Sequence, residues 1–282
     1  MGGVRIDILD RIHHVELNNL KKIIQICDQL NVNYFLIGGS LLGAIRHKGF
    51  IPWDDDMDIG MLRNDYEQFA QYAPSLLKND HYFLQTAYSD KNYGFSYMKL
   101  LDRHTYIEEK NNVNRARKGV FIDIFPFDRI PEDPGDQRSH LARLKLLDSR
   151  IIVKSGYRWI ETPLYRHSDL DLDDLQDLET MKHDRETIMR QYNQQSLTHI
   201  KNIASQYAYD KEIMTTTEAL DLISVPFEKI TVRVPKNYDT ILTRLYGDYH
   251  ELPPVRPRPE KHISKLICLL YPSDASDDPL CV

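Results

Sequence analysis

Ile37-Gly38-Gly39-Ser40-Leu41-Leu42-Gly43-Ala44-Ile45-Arg46-His47-Lys48-Gly49-Phe50-Ile51-Pro52-Trp53-Asp54-Asp55-Asp56-Met57-Asp58-Ile59-Gly60 is the stretch from which the rest of the chain is read. Its first part follows an apolar run, Val32 to Ile37, with the composition of a short strand. The paired glycines then turn the chain. A helix is expected from Ser40 to Arg46, with Ser40 as its N-cap and Lys48-Gly49 closing it. A strand followed by glycines and a helix start is a place where an anion can approach the backbone, because free N–H groups and the helix dipole both favour it. The Ser40 hydroxyl adds a hydrogen bond. Arg46 and Lys48, with His47 between them, add charge that can neutralise phosphate.

The second part reads as a strand from Asp56 to Leu62, with Met57, Ile59 and Met61 on one face. Asp56 and Asp58 then stand side by side on the other face. Two adjacent carboxylates repel, and a divalent cation removes the conflict. Magnesium, with manganese as the alternative, suits one or two carboxylates completed by waters and substrate phosphates. A Gly-Gly-Ser turn alone is most often only a turn, and an isolated Asp-x-Asp is common on surfaces. Four aspartates at 54, 55, 56 and 58 inside an apolar strand pattern are costly without a cation. A phosphate-holding turn and a metal-holding strand are together the parts that phosphoryl transfer requires.

Working outward, the apolar spacing upstream predicts an amphipathic helix from Ile6 to Leu30, with Cys27 on its core face and Asn31 ending it. Downstream, Asn64 and Glu67 have capping-box spacing and open a helix through Tyr72. Short strands are expected at His81–Gln85, Phe95–Leu101, Thr105–Glu108 and Val120–Phe125. Residues 1–130 therefore form an α/β (α+β) core, a mixed sheet flanked by helices. Asp123 lies in the middle of the apolar run Val120–Phe125, where an aspartate should be paired, metal-bound or catalytic. Its competitor Asp128 falls beyond Pro126 and is assigned to a loop. Lys99, in a half-buried strand, reaches nucleotide phosphates or snorkels at an edge. Trp53 stacks on a base or packs. His262 carries little by itself.

Residues 131–222 are strongly charged and lack strand signals, and they read as a helical insertion or lid. A helix is expected over Leu141–Val153. The acidic run Asp169, Asp171, Asp173, Asp174 and Asp177 reads as a solvated face or helix start. Residues 223–267 return to the catalytic domain, with a strand at Ile230–Val234 and a helix over Thr240–Tyr246 that Gly247 ends. The last fifteen residues, 268–282, fit no periodicity and are set aside as an adapter-derived or disordered tail.

The 282 residues carry a net charge of -6, which argues against a general nucleic-acid binder. Three scattered cysteines make neither a disulfide framework nor a zinc site. There is no signal-peptide pattern and no run of the roughly 20 apolar residues that a span needs. A cytoplasmic protein is expected, with peripheral contact at the inner face of a membrane left open.

The sequence resembles the LicD family of phosphotransferases. The resemblance is dense from Tyr34 to Asp58. It recurs in Phe121-Ile122-Asp123-Ile124-Phe125-Pro126 and in Leu245-Tyr246-Gly247-Asp248-Tyr249, followed by Pro253-Pro254. It implies a nucleotidyltransferase-type fold and transfer of a phospho-alcohol group, such as phosphocholine, from a CDP-activated donor to a sugar hydroxyl of a cell-surface or lipid-linked glycan, releasing CMP. It also implies that Asp56 and Asp58 hold magnesium, that Gly39 and Ser40, with Gly38 beside them, hold donor phosphate, and that Asp123 is the third acidic residue. The nearest rival is a nucleotidyltransferase that moves a nucleotide from a triphosphate and releases pyrophosphate. A glycosyltransferase using Asp-x-Asp does not need the upstream turn. A catalytically dead binding module does not need intact Asp56, Asp58 and Asp123.

Overall fold

The computed structural model describes residues 8–110, 114–157, 177–205, 207, 209–252 and 263–268. Helix α1, Ile8–Leu30, buries Ile12, Val15, Leu20, Ile23, Ile26 and Cys27 along one face, the face its apolar spacing predicts. Asn31 takes a left-handed conformation and stops it. Strand β1 is short, Phe35–Leu36, and pairs antiparallel with β2, Asp58–Leu62. Helix α2, Gly38–Leu42, runs directly into a π-helical turn, Gly43–His47. Helix α3, Arg63–Leu76, follows β2 without a connecting loop.

Strands β3 (Tyr82–Gln85), β4 (Met98–Asp102) and β6 (Phe121–Arg129) complete the path β1-β2-β6-β4-β3. Only β2 and β6 run parallel in it. The result is a mixed α/β fold, as expected from the alternation of elements. Strand β5, Thr105–Glu109, pairs instead with β11, Ile263–Cys268, in a separate two-stranded sheet. The large core cluster joins α1, α3 and the main sheet. A second cluster, with Ile12, Leu101, Ile107, Val120, Phe121 and Ile263, sits under the β5–β11 pair.

Several boundaries differ from the sequence expectation for identifiable reasons. Strand β6 passes through Pro126 and carries Asp128 in place of the expected loop. The Asp123 N–H bonds toward β2, at Met57 O, so alternation turns the nitrogen of Pro126 to the opposite edge. On that edge β4 ends its pairing at Ile124, and β7, His199–Lys201, begins at Asp128, so the missing donor falls in the gap. Asp128 is buried and takes a two-pronged ion pair from Arg63 of α3, with Asn193 donating to it as well. The region after Pro131 contains β7 and β8 (Ile213–Thr215), contrary to the expectation of no strands; three-residue strands leave no readable period.

Helix α4 is longer than expected, Pro134–Lys154, because Asp133 caps it and Pro134 occupies its first turn. It packs on α5, Leu178–Arg190, which Asp177 caps; the rest of the acidic run lies outside the described residues. Helix α6 is Thr216–Leu220. Strand β10, Ile230–Pro235, has an unexpected hairpin partner, β9, Leu222–Phe227, and β10 packs on β1. Helix α7, Tyr238–Tyr246, ends at Gly247 and packs on α2. Neither predicted side-chain cap near the glycine turn and α3 forms: the N-cap residues are Ile37 for α2 and Leu62 for α3, without a side-chain bond at either. Residues 269–282, His262 and Pro253-Pro254 lie outside the described residues. Among the described residues, no helix is long and apolar enough to cross a membrane.

Candidate active site

The sheet register assembles the site. Asp58 of β2 is the direct neighbour of Asp123 of β6, and Asp123 is the direct neighbour of Lys99 of β4. Three polar residues separated by up to 65 positions therefore stand in one row on one face of the sheet. Strand β1 runs antiparallel to β2, so its exit lies beside the entry of β2. The Ile37 N–H bonds to Asp58 O, and the turn begins at the next residue. The glycine turn is thus delivered to the head of the carboxylate strand.

Gly38 has φ +52°, a conformation that L side chains rarely adopt. A Cβ on Gly38 would lie 3.7 Å from Asp58 Oδ2 and 3.9 Å from the Tyr246 hydroxyl, which measures how closely the turn approaches both. A Cβ on Gly39 would lie only 2.7 Å from Asp54 Oδ2. Ser40 is buried, and its Oγ accepts from the Asp58 N–H at 2.8 Å. Its hydroxyl hydrogen stays available for an acceptor. Ser40 is the third residue of α2 and not its N-cap, and its hydroxyl instead fastens the turn to β2.

The carboxylates crowd one another. Burial pushes Asp58 well above the usual carboxylate range, and Asp56, Asp123, Asp54 and Glu212 push it further. Burial pushes Asp54 up to about 8, helped by Asp56 and Asp55. Burial takes Asp123 up to about 7; Lys99 pulls it down, and Asp56 and Glu109 push it up. Lys99 Nζ stands 3.5 Å from Asp123 Oδ1 and 3.7 Å from Glu109 Oε1, and 3.2 Å over the Phe121 ring. Asp123 Oδ1 is buried, and among the described residues the long contact to the Lys99 ammonium is all that faces it. Such a donor set, all oxygen and short of positive charge, suits a magnesium ion that takes one or two carboxylates and fills its remaining positions from water and phosphate.

The four aspartates do not act alike. Asp55 is buried and accepts from the Ile263 N–H at 2.7 Å, so it fastens β11. Asp56 precedes β2 and is partly exposed. Among the basic residues, Arg46 directs its guanidinium at the carbonyls of Tyr249 (2.8 Å) and Glu251 (3.2 Å). Lys48 is exposed, in a left-handed conformation, at the mouth of the π-turn. Lys99 is buried beside Asp123 and does not lie at the turn's exposed rim. Trp53 meets His47 edge to face.

Residues beyond those singled out in the sequence also line this region. Glu16 of α1 is buried, with Oε2 unpartnered; burial raises its pKa strongly, and Asp56, Asp54, Asp55 and Asp58 add to it. Its signal was available: a glutamate on the apolar face between Val15 and Asn19. Tyr246 bonds Tyr207 hydroxyl to hydroxyl at 2.9 Å, over Gly38. Glu212 is buried and close enough to raise Asp58, and nothing in its charged surroundings marks it in sequence.

With this geometry the comparisons with known proteins are specific. A family model described as LicD/FKTN/FKRP, nucleotidyltransferase domain, matches residues 31–143, which contain the turn, β2, Lys99 and Asp123. The lipopolysaccharide cholinephosphotransferase LicD of Haemophilus influenzae is 30% identical over 262 residues, 90% of this chain and 95% of that protein. The chain belongs to the LicD family. It is accordingly a transferase. The human ribitol 5-phosphate transferase FKRP is 46% identical over a much shorter stretch, 43 residues, 15% of this chain and 9% of FKRP. An uncharacterised protein of Rickettsia prowazekii is 33% identical over 105 residues, 36% of this chain and 35% of that protein. Similarity to LicD therefore extends through almost the whole chain, including α4 to α7, whereas the FKRP match is confined to one segment.

Proposed function

We propose that this LicD-family transferase moves a phospho-alcohol group, phosphocholine in the first instance, from a CDP-activated donor to a hydroxyl of a cell-surface glycan or its lipid-linked precursor, releasing CMP. The observation that carries this reading is the row Asp58–Asp123–Lys99 set against the Gly38-Gly39-Ser40 turn, together with similarity to a cholinephosphotransferase along nine-tenths of the chain.

Asp56 and Asp58 are the residues that would hold magnesium (or manganese), which supplies charge neutralisation for a pyrophosphate and its leaving group. Everything else falls to the chain. The backbone at Gly38 and Gly39 has no side chain to keep a phosphate away. Ser40 Oγ, already accepting from Asp58, donates its hydrogen to a phosphate oxygen. Lys48, at the exposed rim, offers charge to the nucleotide side, and Arg46 holds the 249–251 segment in place through two carbonyls.

Asp123 takes the proton from the acceptor hydroxyl. A carboxyl pushed up to about 7 is a useful base near neutral pH, because proton affinity and ionised fraction are balanced there. Lys99, beside Asp123, orients it and stabilises its ionised form. The bond that forms is from the acceptor oxygen to the phosphorus bearing the alcohol. The bond that breaks is from that phosphorus to the CMP oxygen, which leaves with the electron pair. Preorganised charge aimed at the transferring group supplies most of the acceleration in such reactions.

The test is CMP release from a panel of CDP-alcohols by the full chain, with magnesium and with EDTA. Magnesium-dependent CMP from one donor supports the reading and names the group. Pyrophosphate release from a nucleoside triphosphate, with no CMP from any CDP-alcohol, would replace it with nucleotide transfer.

A further inference from the structure

Among the described residues, the one group of three potential metal ligands whose donor atoms gather within 4.8 Å of one another lies away from the active site: His81, Asp102 and His104. His81 directly precedes β3, Asp102 ends β4, and His104 lies in the turn that leads into β5. The antiparallel register pairs Tyr82 with Asp102, which brings both histidines to the same sheet end. The two imidazoles lie face to face, 4.4 Å apart and 8° from parallel.

The surroundings orient these groups as ligands. His81 Nδ1 stands 3.0 Å from Asp80 Oδ1, and Asp80 Oδ2 is itself 2.8 Å from Lys22 Nζ. A carboxylate on one ring nitrogen fixes the proton there and leaves the other nitrogen, Nε2, as the ligand; metal-bound histidines are commonly held this way. That Nε2 is 3.7 Å from Asp102 Oδ2. Asp102 is buried, and its other oxygen is used by the His104 N–H at 2.7 Å, so Oδ2 is the one turned to His81. Arg103, which flanks the group, is held on the carbonyls of Asp80 and His81. The group opens on a cleft of about 440 Å³.

We propose that His81, Asp102 and His104 form a zinc site, distinct from the acidic active site, with its fourth position open to the cleft. Two imidazoles and a carboxylate select zinc over magnesium, which prefers oxygen alone. Bonds of about 2.0–2.1 Å in a tetrahedron put ligand atoms about 3.3–3.4 Å apart, so small side-chain rotations close the observed spacing. The ion would clamp the start of β3 to the β4–β5 turn, and would thereby brace the end of β4, the strand that carries Lys99.

The experiment uses the full chain stripped with EDTA and desalted, in an Asp56→Asn/Asp58→Asn background that silences the acidic site. Zinc chloride is titrated by calorimetry into this parent and into the same protein with His81→Ala/His104→Ala. The parent is expected to bind one zinc per chain, with a rise in Tm and, when cobalt replaces zinc, the visible absorption of a four-coordinate ion. The histidine variant is expected to bind at least ~100-fold more weakly, with no Tm rise. Magnesium should produce neither effect. Far-UV circular dichroism and metal-free Tm check the variant's fold. Should the double variant misfold, His104→Gln, which keeps a polar side chain there, is read in the same way. Zinc uptake by the histidine variants equal to the parent's, or no stoichiometric uptake by the parent, would overturn the proposal.

Discussion

Replacing Asp123 with Asn should make the metal-free protein more stable while abolishing transfer. The folded-state carboxyl is raised from 3.8 to about 7. Well below the unfolded value of 3.8 it is protonated in both folded and unfolded chains, and no free energy separates them on its account. As pH rises the unfolded chain ionises first, and stability is lost progressively until the folded carboxyl also ionises near pH 7. About three units at 1.36 kcal/mol each give a penalty of order 4 kcal/mol above that pH, and roughly 2 kcal/mol at about pH 5. Asn has the shape of the protonated acid and carries no such penalty. The stability gap between variant and parent should therefore widen by about 2–3 kcal/mol between about pH 5 and about pH 8. A chain of this length unfolds with an entropy of about 0.6 kcal/mol per degree, so the gap in Tm should widen by ~4 °C. Asp54 and Asp58 also titrate upward, which is why the variant-minus-parent difference is measured and not the parent's slope alone. Scanning calorimetry in EDTA at both pH values reads it, and added magnesium should narrow the gap by supporting the ionised carboxylates. An Asn variant less stable than the parent at about pH 8, or a gap that does not change with pH, would refute the picture of an overcrowded, cation-seeking cluster.

Four further outcomes are expected. Asp56→Asn and Asp58→Asn should each lower CMP release by ~10²–10³-fold or more, with an unchanged circular dichroism spectrum; near-normal turnover by either would remove that residue from the site. Asp128→Ala leaves the buried Arg63 guanidinium without its main partner and should cost about 3–5 kcal/mol, or ~5–8 °C in Tm; a loss under ~1 kcal/mol would mean the pair is replaceable by solvent. Gly39→Ala places a methyl 2.7 Å from Asp54 Oδ2, which forces that carboxylate to move, and should lower kcat by ~10²-fold in a folded protein, measured by steady-state kinetics at saturating donor. Arg46→Ala should destabilise by about 1.5–3 kcal/mol through its lost carbonyl bonds while donor KM stays within ~threefold; a tenfold rise in KM with Tm unchanged would instead put the guanidinium on phosphate.

What the chain determined locally was legible from its residues. Periodicity located α1, α7 and most strands of the main sheet, since burial of one face imposes a repeat that a sequence displays. The candidate turn and the Asp56–Asp58 pair could be named because glycines and clustered carboxylates have few other uses inside an apolar pattern. Tertiary structure decided the rest, because it depends on pairing between distant segments. Register alone set Asp123 between Asp58 and Lys99, and the end of the β4 pairing at Ile124 of β6 made room for Pro126 inside β6. Ser40 had the composition of a cap, but its hydroxyl was drawn to the Asp58 N–H, a partner 18 residues away. Asp128 looked like a loop residue until Arg63 was brought against it, and Glu16 of α1 acquires its role only from the aspartates that the fold brings near it. A carboxylate's identity is written in the sequence; whether it is paired, crowded or exposed is set by what the fold brings within a few ångströms of it.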